Sequence, residues 1–287
     1  NGQETVPKEE TQMSGEQAKL DKINERIENG RIIEQKSWKF IKELNSYSEE
    51  RLNAVALIEG ENKITYRQMF RKWERYAEVF SALGITEKEH ARVGLVAETA
   101  ASSVFSLYGL NMVGASVSLI GIQDLMDEKR LRKTIEKEAL TDLILSDLLM
   151  MPDMLLRLTK RKEALGLRHI ILIHVPAKGD FIPGAIQAFA RRTRPFQRRV
   201  EGVLFMEELL ERYEATPFSS ATRSEEAAII LHTSGTTSGI HKPVPMSDRG
   251  FNEAAARILR DERFASYNGT AVSALAVGMT TAYGICD

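Results

Sequence analysis

Cysteine is close to missing: Cys286 is the only one in 287 residues. A lone cysteine closes no disulfide within the chain and builds no cysteine-rich metal site. Long apolar runs are missing too. No stretch approaches the ~18 residues that a membrane-spanning helix needs, and the polar first residues carry no signal-peptide core. Net charge is small. With 39 Lys and Arg against 40 Asp and Glu, the formal charge is −1, so the balance points neither to nucleic acid nor to an acidic membrane surface. Internal repeats are not apparent. These absences predict a soluble, cytoplasmic protein. What is present is a 43% hydrophobic content, enough to bury the core of one large or two small domains.

Residues 1–45 are unusually polar and form an N-terminal extension, with a second unit expected over 46–287. Asn1 to Ser14 read as an unfolded start. From Glu16 onward, Leu20, Ile23 and Ile27 are spaced for an amphipathic helix that Gly30 ends. Trp38, Ile41 and Leu44 supply the apolar face of a second helix. Both are expected to pack on the core, with a partner-binding arm as the alternative.

Ala54 to Gly60 and Lys63 to Met69 predict a β-hairpin whose second arm runs into a helix. Met69, Phe70, Trp73, Ala77, Phe80 and Leu83 recur at helical spacing, and Gly84 stops them. Ala91 to Ala97 reads as a buried strand, Ala101 to Val113 as an apolar helix and Gly114 to Ile120 as the next strand. A helix from about Asp127 to Ala139 follows, then strands at Asp142 to Ser146 and His169 to Val175. Near-continuous apolar strands alternating with helices predict an α/β fold, a mostly parallel sheet with helices on both faces. Lys178 to Arg199 joins Ile186, Ala188, Phe189 and Ala190 to a cluster of five arginines between Arg191 and Arg199. It reads as a solvated connection, with peripheral membrane contact or guidance of an acyl chain as the alternative. Glu214 to Glu225 reads as a second connection. His169 and His174 flank a strand and are expected to be structural, and the histidines show no metal-ligand spacing.

The densest chemistry lies after the apolar run Ala227-Ala228-Ile229-Ile230-Leu231. Thr233 to Val244 read Thr-Ser-Gly-Thr-Thr-Ser-Gly-Ile-His-Lys-Pro-Val. Gly235 and Gly239 let backbone N–H groups approach an anion without a Cβ in the way. Thr233, Ser234, Thr236, Thr237 and Ser238 add hydroxyl donors, and Lys242 adds a mobile point charge. A helix from about Asn252 gives the order strand, loop, helix that suits a phosphate. His232 and His241 flank or enter the loop and can donate to phosphate or stack on a base. The Walker loop does not fit, because Pro243 and not Ser or Thr follows Lys242 and no glycine precedes it. The dinucleotide fingerprint is absent from this loop as well.

The loop resembles the phosphate loop of the adenylate-forming superfamily, which includes acyl-CoA synthetases, peptide-synthetase adenylation domains and beetle luciferases. That signature runs close to Thr-Ser-Gly-Thr-Thr-Gly-x-Pro-Lys-Gly-Val. Thr233 to Thr237 match it residue for residue, Ser238 resembles a one-residue insertion, and Gly239, Lys242 and Val244 then fall into place. Leu110 to Ala115 is similar to the family's second core motif. The resemblance implies the N-terminal portion of the family's large domain, with 46–287 an incomplete adenylation domain. It implies ATP-dependent activation of a carboxylic acid to an acyl-adenylate, using Mg2+, then thioester formation with coenzyme A. Thr233 to Gly239 would hold the β- and γ-phosphates and Lys242, the catalytic residue, would neutralise the departing pyrophosphate. Transfer to a carrier-protein thiol and a non-catalytic nucleotide-binding paralogue remain the alternative readings.

The chain also departs from the family pattern. His241 stands where proline is usual and Pro243 where glycine is usual. Ala271 to Ile285 resembles an acyl-pocket wall but lacks the customary proline and histidine, although Tyr283 could line it. The family's later motifs, an aromatic-Gly-x-Thr-Glu segment, a ribose-binding aspartate and a mobile domain with a second lysine, have no counterpart here. The resemblance therefore implies a missing C-terminal portion of the same enzyme and little turnover by this chain alone.

Overall fold

A polar opening segment coils into helices before the first strand forms. The computed structural model describes residues 8–96, 98–148, 150–176, 184–221, 227–233 and 242–260. Its first elements are α1 (Lys8–Glu28), a 3-10 turn (Arg31–Glu34), α2 (Ser37–Leu44) and α3 (Glu49–Asn53). Gly30, at φ 73°, takes the left-handed conformation after α1 that glycine tolerates best. Ile23, Ile27 and Phe40 are buried against Ala256, far along the chain. The N-terminal helices pack inward.

Strands β1 (Val55–Glu59) and β2 (Asn62–Thr65) form an antiparallel pair of their own. Thr65 then caps α4 (Tyr66–Ala82) reciprocally. The Gln68 N–H donates to the Thr65 hydroxyl at 3.3 Å, and the Thr65 N–H donates to the Gln68 carboxamide oxygen at 2.9 Å. This capping box explains why the helix starts directly after the strand. Its expected stripe is buried at Met69, Phe70, Trp73, Ala77 and Phe80.

The main sheet alternates with helices: β3 (Arg92–Leu95), α5 (Ala101–Val113), β4 (Ser116–Leu119), α6 (Ile122–Met126), α7 (Glu128–Glu138) and β5 (Asp142–Ser146). Then come α8 (Pro152–Lys160), β6 (His169–Ile173), α9 (Gly184–Gln197), β7 (Leu204–Phe205) and α10 (Met206–Arg212). The last described elements are β8 (Ala227–His232), β9 (Pro243–Ser247) and α11 (Asp248–Arg260). Strand order is β7-β6-β5-β3-β4-β8-β9. Every neighbouring pair is parallel except β8 with β9. The expected mostly parallel sheet is present.

Strand periodicity divides the interior. Val93, Leu95, Val117, Leu119, Ile144, Ile171 and Ile173 join the cluster containing α4, α5 and α10. Leu143, Leu145, Ile170 and Leu172 point into a second cluster with α7 and α8. Alternate residues of one strand thus enter opposite layers, which is why these strands read as continuous apolar runs.

Sequence periodicity does not anticipate β7, α8, α10 or β9. The expected solvated connection at Lys178 to Arg199 is also corrected. Its residues from Gly184 form α9, which buries Ala190 and Gln197. Arg194 turns inward to Asp147, at 2.8 Å, and to the Val175 carbonyl. Arg191 and Arg192 remain exposed. An apolar stripe too short to register beside five arginines still seats the helix.

Candidate functional site

Ala228, Ile229 and Leu231 bury β8 in the sheet, so its carboxyl end delivers Thr233 to a fixed place. In an open parallel sheet, ligands gather at such carboxyl ends. The chain then returns as β9, with His232 opposite Pro243 and Ile230 opposite Pro245. The expected order of strand, loop and helix from about Asn252 holds, with an unanticipated strand between loop and helix. The loop closes a hairpin, and α11 begins at Asp248.

Two prolines in β9 hide this strand from sequence reading, yet the ladder tolerates them. Thr233 and Lys242 exchange hydrogen bonds, so His232–Pro243 and Ile230–Pro245 are the alternate, non-bonded pairs. Both proline nitrogens then face outward from the edge strand, where no ladder donor is required.

The loop mouth is pinned. The Thr233 N–H donates to the Lys242 carbonyl at 3.0 Å, and the Lys242 N–H donates to the Thr233 hydroxyl oxygen at 3.1 Å. Both residues are exposed, with residues 234–241 between them. Of the expected site residues, Thr233 and Lys242 are brought together. Ser234, Gly235, Thr236, Thr237, Ser238, Gly239 and His241 lie outside the described residues, as do Tyr283 and the rest of the expected acyl-pocket wall. Among the described residues no carboxylate pairs with the Lys242 side chain.

His232 does not face the loop as a free donor. Its Nδ1 lies 3.0 Å from the Leu119 carbonyl and its Nε2 lies 2.7 Å from Glu138 Oε1. Glu138 is buried. Burial pushes its carboxyl up, but the hydrogen bond and charge of His232 outweigh this and hold it below the usual carboxylate range. Burial pushes His232 down, but the hydrogen bond and charge of Glu138, with the Leu119 carbonyl, leave it raised. Nothing in the sequence singles out Glu138, the last residue of a highly charged helix.

The other two described strand histidines are clamps. His169 Nδ1 meets Asp142 at 2.7 Å, and Arg168 meets the same carboxylate at 2.6 Å. Burial raises Asp142, but His169, Thr141 and Arg168 together hold it below its ordinary range. At the opposite end of the same strands, His174 Nδ1 meets Asp147 at 2.8 Å, while the Val175 N–H donates to Asp147 at 2.9 Å. The paired aspartates tie β5 to β6, as the structural reading of these histidines expects. A groove of about 290 Å³ between α7 and α8 lies away from the loop, and its Arg157 and Arg161 already pair with Glu128.

A mostly parallel sheet covered on both faces, with a hydroxyl- and glycine-rich stretch of sequence following a strand's carboxyl end, defines the class: an α/β protein. The chain belongs to the AMP-binding enzyme family, whose profile matches residues 45–286. Solved structures share the fold. One is the anthranilate CoA ligase AuaEII in complex with anthranoyl-AMP, at 18% identity and TM-score 0.55, covering 78% of this chain and 37% of that one. Another is a red-emitting luciferase from Phrixothrix hirtus, at 18% identity and TM-score 0.57, covering 90% and 43%. A third is o-succinylbenzoate coenzyme A synthetase from Bacillus subtilis in complex with AMP, at 14% identity and TM-score 0.53, covering 88% and 41%. The chain thus spans less than half the length of these structures. No curated protein matches the sequence.

Proposed function

We propose that this chain carries the phosphate-binding loop of an enzyme that activates a carboxylic acid with ATP. The supporting observation is the loop mouth, tied between Thr233 and Lys242 at the carboxyl end of β8 in a chain of the AMP-binding family. The first step brings a carboxylate to the α-phosphate of ATP, yielding an acyl-adenylate and pyrophosphate. Two anions must meet, so preorganised donors and positive charge are needed. Backbone N–H groups and hydroxyls of Thr233, Ser234, Gly235, Thr236, Thr237, Ser238 and Gly239 would hold the β- and γ-phosphates. Lys242 would neutralise the pyrophosphate as it leaves. Holding the tail of ATP positions its α-phosphate for attack.

Coenzyme A is the proposed thiol acceptor, giving a thioester and AMP. Mg2+ would arrive with the nucleotide. Among the described residues no group of three or more His, Cys, Asp or Glu is placed to hold a metal ion. Residues 46–287 are proposed as part of the AMP-binding domain, with 1–45 as an extension braced against it.

The test combines binding with turnover. Lys242→Ala should weaken Mg-ATP binding about tenfold or more in calorimetric titration, the loss of one charge-assisted contact. Carboxylate-dependent pyrophosphate release across a panel of acids should fall with it, in this chain or in a longer product of the same gene. Unchanged ATP affinity in the variant would remove Lys242 from the site.

A further inference from the structure

The hydrogen bonds around His232 impose a charge state. A backbone carbonyl only accepts, so the contact to Leu119 at 3.0 Å places a proton on Nδ1. An ionised carboxylate also only accepts, so the 2.7 Å contact to Glu138 places a second proton on Nε2. A ring that donates from both nitrogens is an imidazolium.

Its position gives that charge a task. The pairing of β8 with β4 runs through Val117–Ile229 and Ser118–Ile230. Beyond that ladder, the His232 ring carries the attachment onward, reaching Leu119 at the end of β4 and Glu138 at the end of α7. The next residue is Thr233, whose N–H and hydroxyl close the loop mouth on Lys242.

We propose that His232, locked as an imidazolium between Leu119 and Glu138, is a positioning residue for the phosphate loop, so that the loop's hold on ATP is linked to one buried proton. The ATP part of this inference rests on the function proposed above. When the ring loses a proton it can satisfy only one of its two acceptors. Either Leu119 loses its donor or Glu138 is left as a buried, unpaired carboxylate, and the mouth of the loop loosens. The charges that act on this pair from outside are Lys137 on α7 and Asp124 on α6. The sequences of β4 and α5 contain no charged side chain.

Imidazole nitrogen NMR over a pH series reads the ring directly in the unaltered chain. His232 should carry protons on both nitrogens at neutral pH and titrate above the ordinary 6.5. Amide-exchange protection at Thr233 and Lys242 should fall through the same midpoint. Mg-ATP should bind about five- to tenfold more weakly above that midpoint than below it, the size of a modest site-to-site coupling. In His232→Gln this step should vanish, which separates it from the ionisation of ATP itself. Glu138→Gln should move the midpoint down. A ring with one protonated nitrogen at neutral pH, or mouth protection indifferent to its titration, overturns the proposal. If ring and mouth titrate together but ATP binds at no pH, the ATP reading fails and the positioning role stands. If ATP binds equally through the transition while the mouth stays protected, the positioning role fails and the ATP reading stands. Should a substitution prevent folding, the wild-type ring and exchange titrations still decide.

Discussion

Glu138 and His232 show how two residues with opposite shifts define a pH window. Glu138 is held low, so its contribution to stability is present above its ordinary 4.5 and disappears as pH falls through the lower folded value. His232 is held high, so its contribution is complete below 6.5 and disappears as pH rises through the higher folded value. The pair is therefore fully effective between about 4.5 and 6.5. Glu138→Gln should flatten the loss of thermal stability on the alkaline side, measured as the melting temperature across a pH series. A wild-type-like alkaline slope in the variant would show that another group sets it. The candidate loop was legible by composition at this scale, since hydroxyls, glycines and a lysine cluster nowhere else so densely. Its partner was not. Glu138 stands 94 positions from His232 and reads as one more charge on a solvated helix.

Helix α5 lies against α4 closely enough that one residue has no room for a side chain. A Cβ on Gly109 would sit 2.8 Å from Tyr76 Cβ, 3.2 Å from the Ala77 nitrogen and 3.2 Å from Phe80 Cε2. Beside it, Trp73 stacks on Tyr108 with ring centroids 4.3 Å apart. Gly109→Ala removes a flexible glycine from a helix, which alone favours folding by up to about 1 kcal/mol. The backbone and Cβ of α4 cannot retreat without disturbing that stack, so overpacking wins, and the net loss should be about 1–2 kcal/mol in denaturant titration. A stabilised variant would mean that the helices separate freely. The α4 and α5 spans were readable because long stripes and a terminal glycine mark them. Strand β9 was not, because Pro243 and Pro245 argue against a strand until the edge position and pairing phase are known. Helix α9 was obscured by its arginines, of which Arg194 finds its carboxylate, Asp147, 47 positions away.

At the level of the whole molecule, the N-terminal helices are braced against the segment that follows the loop. Asp248, fully buried at the start of α11, accepts from the Ser37 N–H at 2.8 Å and from Asn111 at 2.7 Å. Its second oxygen faces Lys36 Nζ at 3.1 Å. Asn252 adds hydrogen bonds to the Ile33 and Gln35 carbonyls at 3.2 and 2.7 Å. This network fastens residues before the family-matched region to the helix after β9. Lys36→Met should cost roughly 3 kcal/mol of stability, because it strands a buried carboxylate. Adding Asp248→Asn should recover part of that loss, a non-additivity that a double-mutant cycle reads. Fully additive losses would mean that the two charges do not interact.

Local pattern determined much of this protein. Apolar runs and helical stripes placed most of the parallel sheet, since both periodicities are properties of a few neighbouring residues. The same short-range reading gave the family resemblance, because the stretch that carries it is a contiguous run of hydroxyls, glycines and a cation. Tertiary structure alone decided that the loop closes a hairpin, that His232 is engaged through both nitrogens and that Lys36 meets Asp248. Each depends on partners distant in sequence, and on burial that strengthens a matched charge and penalises an unmatched one.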